Sequence, residues 1–239
     1  MRNGDATGAD AVTGHVREVL DRISRAAIRA GRRPEAVHLV AVTKTVSADR
    51  IRSVVDAGVR MLGESRLQEA LPKIETMRER DVRWHFIGTL QRRKVKAVVG
   101  AFEMIHSVDS LDLAAEIDRR AGDAGLQQRV LLEINVGREA TKAGFSPDEA
   151  ADAVAALEAM PNLAVRGLMA IPPPGPDAEA SRPSFRTMRE LARSLASPAL
   201  KRVRMEELSM GMSGDFEVAV EEGATMVRIG TAIFGARRG

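Results

Sequence analysis

Apolar positions fall into two alternating periods along the chain. Val12, Val16, Val19, Leu20 and Ile23 recur at helical spacing and predict an amphipathic helix ending near Gly31. Beyond it, short apolar runs at about 37–43, 59–62, 82–87, 103–108, 129–136, 163–169, 203–208 and 225–229 predict strands. Helical periodicity lies between them, as in Ile51, Val54 and Val55, or Leu111, Leu113, Ala114 and Ile117. Strands alternating with helices imply parallel βαβ units. Eight such units in 239 residues predict an α/β protein, a closed (β/α)8 TIM barrel with an extra N-terminal helix. The competing open doubly wound sheet has about five or six strands and a ligand loop at its switch point. No G-x-G-x-x-G follows the first strand, and no G-x-x-x-x-G-K-[ST] occurs anywhere.

Only about ten residues follow the eighth strand, so the last helix must be short. The N-terminal helix is expected to cover that gap. IPPPGPD at 171–177 can be neither helix nor central strand and reads as the loop after the sixth strand. Residues 1–9 read as a disordered lead and 10–239 as a single barrel domain.

Function in such a barrel is expected at the C-terminal ends of the strands. Those ends carry Lys44, Glu64, Gly88, Ser107, Asn135, Met169, Ser209 and Arg228 or Gly230. Lys44 closes VHLVAVTK, where a partly apolar setting with a cation nearby would make its amine a nucleophile toward aldehydes. The bland reading is an ammonium reaching solvent. Strand eight must neighbour strand one if the barrel closes, which brings MVRIGTAIFG beside Lys44. The N–H groups of Gly230 and Thr231, with the threonine hydroxyl, could form an anion site at a helix start. SMGMSGD supplies Ser213 and Gly214 to the same corner. Lysine, arginine and a phosphate cradle together suggest pyridoxal phosphate held as a Schiff base.

Composition prunes the alternatives. The chain has no Cys and no Tyr, so disulfides, cysteine-ligated metals, thiolate nucleophiles and phenol acids or bases are excluded. Four histidines without ligand-like spacing predict no metal site. Lys and Arg total 36 against 33 Asp and Glu, a formal +3 with no long basic block. RRKVK at 92–96 is the densest basic patch and reads as a solvated helix face, with no aromatics to stack on bases. No apolar run reaches the roughly 18 residues of a membrane span, and MRNGDATGAD lacks the apolar core of a signal peptide. A cytoplasmic, soluble protein is expected.

The segments AVTKT, LGESRLQE, WHFIGTLQ, IHSVDS, LLEINV, RGLMAIP and LSMGMSGDFEVAVEEGATMVRIGTAIFGAR are together specific. The chain resembles the pyridoxal phosphate homeostasis proteins, single-domain relatives of the alanine racemase barrel, over about four-fifths of its length. The resemblance implies that Lys44 forms the internal aldimine, that Ser213, Gly230 and Thr231 hold the phosphate, and that Arg228 faces the pyridine nitrogen. A protonated arginine there would leave that nitrogen unprotonated and the ring a weak electron sink. Ser65 stands where the family commonly has Asn, and Arg92 and Arg93 replace smaller polar residues.

The implied role is buffering or delivering the cofactor, with apo-enzymes as recipients, a monomeric carrier and no established catalytic residue. The first alternative is an amino-acid racemase with Lys44 as one base, though the tyrosine that serves alanine racemases as second base is missing. The second is a nucleic-acid or partner-binding module using Arg92, Arg93, Lys94 and Lys96. His85, beside Trp84 in an alternating strand, and His106 read as core or barrel-lining residues. Glu64 and Glu133 read as structural carboxylates paired with Arg or Lys. Asp109 and Ser110 read as the cap of the helix after strand four.

Overall fold

The computed structural model describes residues 4–236. Helix α1 (Gly4–Arg29) precedes strand β1 (His38–Val42), and seven further strands follow in parallel: β2 (Met61–Glu64), β3 (Arg83–Phe86), β4 (Met104–Val108), β5 (Gln128–Glu133), β6 (Leu163–Met169), β7 (Val203–Ser209) and β8 (Met226–Ile229). They close in sequence order, with Val40 opposite both Met61 on β2 and Arg228 on β8. The connecting helices are α2 (Ala48–Asp56), α3 (Leu67–Thr76), α4 (Val95–Val98), α5 (Leu111–Asp123), α6 (Ala150–Glu158), α7 (Arg182–Leu195) and α8 (Phe216–Glu221). A single turn, α9 (Thr231–Phe234), follows β8.

The predicted (β/α)8 barrel with its extra helix is therefore the observed fold. The helix starts at Gly4, inside the stretch expected as a lead, while residues 1–3 lie outside the described residues. It ends at Arg29, and Gly31, at φ 68°, takes the left-handed conformation that releases the chain toward β1.

Alternation of side chains along each strand separates two cores. Outward residues such as Leu39, Ala41, Leu62, Phe86, Ile105 and Leu132 pack against the helices. Inside the barrel, Val40, Met61, Met104, Leu131, Met169 and Met226 form a distinct apolar layer. Two residues beyond Met104 and Met226 on their strands come His106 and Arg228, so the barrel turns polar toward its C-terminal end.

Helix α1 seals the place where α9 is too short to cover β8. Its buried Val12, Val16, Val19, Ile23, Ala26 and Ala27 share one face, which packs on α2, α8 and α9. Arg22 pairs with Glu217 at 2.8 Å and stacks over Phe216, while Arg29 pairs with Glu221 at 2.8 Å. Among the described residues no helix is long and apolar enough to cross a membrane.

Candidate functional site

Lys44 sits in the turn that ends β1. The Val46 N–H donates to the Thr43 carbonyl at 3.0 Å and closes that turn, and Thr45 within it has φ 63°. A β-branched residue in the left-handed region is strained and needs external support. Support comes from both sides. Glu69 on α3 accepts the Thr45 N–H at 2.8 Å. Buried Glu64, at the end of β2, accepts the Thr43 hydroxyl at 2.7 Å and the Lys73 ammonium at 2.6 Å. Lys73 also donates to the Thr43 carbonyl at 2.8 Å. Glu64 is thus the paired structural carboxylate the sequence suggested. The half-buried Lys44 side chain makes no ion pair or hydrogen bond among the described residues.

The β8 residues arrive beside this turn. Gly230 follows Ile229, which pairs with Ala41, and a Cβ on Gly230 would lie 3.3 Å from the Val42 Cβ. Ser213, in the loop after β7, accepts the Ala232 N–H through its hydroxyl at 3.2 Å, which ties the two loops into one corner. The N–H groups of Ser213, Gly214, Gly230 and Thr231 have no acceptor among the described residues, and the space a Gly214 side chain would fill is open. Since α9 is one turn long, these individual N–H donors, rather than a helix macrodipole, suit the corner to an anion. Ser213, Gly230 and Thr231 therefore meet in one corner beside the end of β1.

Arg228 is buried inside the barrel mouth. One guanidinium nitrogen donates to the Ser209 carbonyl at 2.7 Å and the Ser209 hydroxyl at 2.6 Å, and the other to the Ala170 carbonyl at 3.0 Å. Of its five N–H donors, two remain to meet a ligand. Burial pushes this guanidinium down to about 10, against the opposing pull of Glu133 and Asp215, so it stays charged near neutral pH.

Sequence reasoning missed two features of the mouth. Among the described residues Glu133 makes no ion pair with the Arg or Lys expected for it. Burial, then the nearby Asp109 carboxylate, push it up to about 7, while Arg228 pulls the other way. His85 and His106 do line the barrel, but as a bonded pair. The His85 Nδ1 lies 2.8 Å from His106 Nε2, and His106 Nδ1 lies 2.9 Å from the Ser209 hydroxyl. Their positions, 21 residues apart, give no local signal; only the adjacency of β3 and β4 joins them.

The other strand-end residues are structural. Gly88 comes so near Ser65 that a Cβ would sit 2.4 Å from the Ser65 carbonyl oxygen. The Ser107 hydroxyl donates to the Gly88 carbonyl at 2.6 Å. Asn135 folds its loop by donating to the Glu139 carbonyl at 2.8 Å, and Met169 belongs to the apolar layer. Ser110 caps α5, accepting the Leu113 N–H at 3.4 Å and donating to Asp109 at 2.9 Å. Arg92, Arg93 and Lys96 are exposed, with Lys94 half-buried, around the short turn before α4. Among the described residues no cluster of His, Asp and Glu could hold a metal ion.

The model of the family described as "Alanine racemase, N-terminal domain" matches residues 17–238. The chain is 46% identical over 220 residues to a protein of Aquifex aeolicus named pyridoxal phosphate homeostasis protein, covering 92% of this chain and 96% of that one. A protein of the same name from Escherichia coli K12 is 41% identical over 223 residues, covering 92% and 94%. Among solved structures, PipY of Synechococcus elongatus with PLP bound superposes with a TM-score of 0.78 at 37% identity, covering 91% of this chain and 100% of that one. An alanine racemase of Clostridium difficile shares the fold at 16% identity, with a TM-score of 0.73 over 95% of this chain and 58% of its own.

Proposed function

The chain belongs to the pyridoxal phosphate homeostasis proteins, built here on the alanine racemase N-terminal barrel, and from that membership we propose that it binds pyridoxal 5′-phosphate and buffers or delivers it. One observation carries this reading. Among the described residues, an unpaired lysine, a corner of free N–H groups and a buried arginine with spare donors lie at the same end of the barrel. That donor set fits the group: an amine for an aldehyde, N–H and hydroxyl groups for a phosphate, and a cation for a ring nitrogen. When bound, the cofactor supplies an aldehyde carbon that an amine can join with loss of water.

Lys44 would hold the group covalently, steadied by the anchored threonines on either side of it. Ser213, Gly230 and Thr231 would hold the phosphate. Arg228 would donate to the ring nitrogen and keep a proton off it, which discourages carbanion chemistry and suits a carrier. In this reading the protein works in the cytoplasm as a monomer, and apo-enzymes receive the cofactor.

The test is to mix the purified protein with pyridoxal phosphate, reduce with borohydride and map the peptides. A visible band bleached by borohydride, with the mass of the reduced cofactor on Lys44 and neither in Lys44→Ala, is expected. A colourless protein with unmodified Lys44 overturns the proposal.

Racemisation remains the second reading because of Glu133. A carboxyl pushed up to about 7 in the mouth can both take and give a proton near neutral pH. Loaded protein incubated in D2O with single amino-acid enantiomers would show α-deuterium and lost chirality, and Glu133→Gln would suppress both. No exchange over many cofactor equivalents leaves binding as the function.

A further inference from the structure

The hydrogen-bonded side chains inside the barrel run in one direction. Arg228 can only donate, so the Ser209 hydroxyl oxygen, 2.6 Å away, accepts from it. The Ser209 proton must then go elsewhere, and His106 Nδ1 at 2.9 Å is the acceptor in reach. With Nδ1 accepting, His106 carries its proton on Nε2, which faces His85 Nδ1 at 2.8 Å. His85 in turn carries its proton on Nε2, an atom that is buried and has no partner among the described residues. In the reverse order the hydroxyl would accept from both Arg228 and His106 and its own proton would have no acceptor in reach, whereas the order above leaves the His85 Nε2–H as its one unpartnered donor.

Both rings are neutral. Burial dominates, and the charged or titratable groups acting on them are basic: Arg83, His38 and Arg129 on His85, and His85 and Arg228 on His106. The ring centroids lie 5.1 Å apart with planes at 68°, a spacing that suits two imidazoles joined through their ring nitrogens. His85, His106 and Ser209 are each at most 1% exposed, so water does not compete for these bonds.

We propose that His106, backed by His85, is a positioning residue that commits the Ser209 hydroxyl to accept from Arg228 and so aims the spare Arg228 N–H groups at the cofactor's ring nitrogen. The role rests on the reading of the site as a pyridoxal phosphate site. Arg228 makes no salt bridge among the described residues, so two carbonyls and this hydroxyl hold its guanidinium in place. Without an acceptor at His106, the Ser209 proton would seek one of those carbonyls and displace the arginine from it.

The first test uses the cofactor-free protein. Nitrogen-15 NMR of the imidazoles at pH 7 should find both His85 and His106 neutral with the proton on Nε2. A proton on Nδ1 of either ring, or an imidazolium, overturns the proposal.

The second test titrates pyridoxal phosphate into wild type, Ser209→Ala, His106→Leu and His106→Asn, with melting temperatures recorded for each. Ser209→Ala and His106→Leu should weaken binding about ten-fold, the effect of one charge-assisted hydrogen bond, and shift the visible band. His106→Asn restores an acceptor near the Nδ1 position and should recover most of the affinity and the band. If His106→Leu matches wild type, or His106→Asn is as weak as His106→Leu, the positioning role is wrong while the carrier function stands. Should His106→Leu not fold, the NMR result and the Ser209→Ala and His106→Asn comparison still decide. A wild type that takes up no pyridoxal phosphate overturns the proposed function and this role with it.

Discussion

Lys73 gives up most of its hydration to reach Glu64, whose side chain is fully buried beneath the Lys44 turn. Replacing Lys73 with Met would leave that carboxylate with the Thr43 hydroxyl as its one remaining donor, because its second oxygen already has no partner among the described residues. Breaking a buried pair from one side costs about 3–5 kcal/mol. Lys73→Met should therefore destabilise by about that much in chemical denaturation, and Glu64→Gln/Lys73→Met by clearly less. A single variant within about 1 kcal/mol of wild type would show that the pair does not anchor the turn. At this scale the sequence was legible where one residue type suffices. Lys44, Arg228 and Gly230 announce themselves by chemistry at strand ends, and Ser213 in the loop after β7. From sequence Ser209 reads only as a strand end, and His106 as a lone barrel-lining residue. Their link spans 103 residues and exists only once the barrel closes. The setting of Glu133 is hidden for the same reason, since Asp109 lies just past β4 and Arg228 on β8.

The helical period of α1 was readable, but the exact width of its buried face was not. Val12, Val16, Val19 and Ile23 are at most 3% exposed, whereas Leu20, on the flank, is 39% exposed. The difference follows from what the helix covers: a stripe over α2, α8 and α9, not a whole cylinder face. Ile23→Ala should cost about 2–4 kcal/mol and Leu20→Ala less than about 1 kcal/mol in urea denaturation. Equal losses would mean that α1 does not seal the seam as described. Strand boundaries shifted where charge interrupts the apolar run. The second strand, with its apolar run at 59–62, runs from Met61 to Glu64, because Gly63 and Glu64 extend the pairing beyond the apolar residues and Glu64 turns outward to meet Lys73. The sixth, Leu163–Met169, coincides with its apolar run because neither end carries a buried charge.

For the whole molecule, the polar groups inside the barrel set how stability depends on pH. His85, held down at about 3, and His106, also well below its ordinary 6.5, stay neutral in the fold and take up protons when unfolded. Their contribution is present above about pH 6.5 and is lost as pH falls toward 3. Glu133 acts in the opposite sense. It keeps its proton in the fold up to about 7 but ionises in the unfolded chain above about 4.5, so its contribution falls as pH rises through that window. Between these limits two groups oppose one. The share of stability these three groups supply should rise with pH by up to about 1.4 kcal/mol per unit between pH 5 and 6.5, the weight of one net proton. Glu133→Gln removes the opposing group and should steepen that slope toward two protons, whereas His85→Asn should flatten it toward zero. Denaturation midpoints at pH 5 and 6.5 for the three proteins measure the slopes directly. Identical slopes would mean that the barrel interior is wet enough to titrate as exposed side chains do, and a neutral histidine chain could not then hold Arg228 in place.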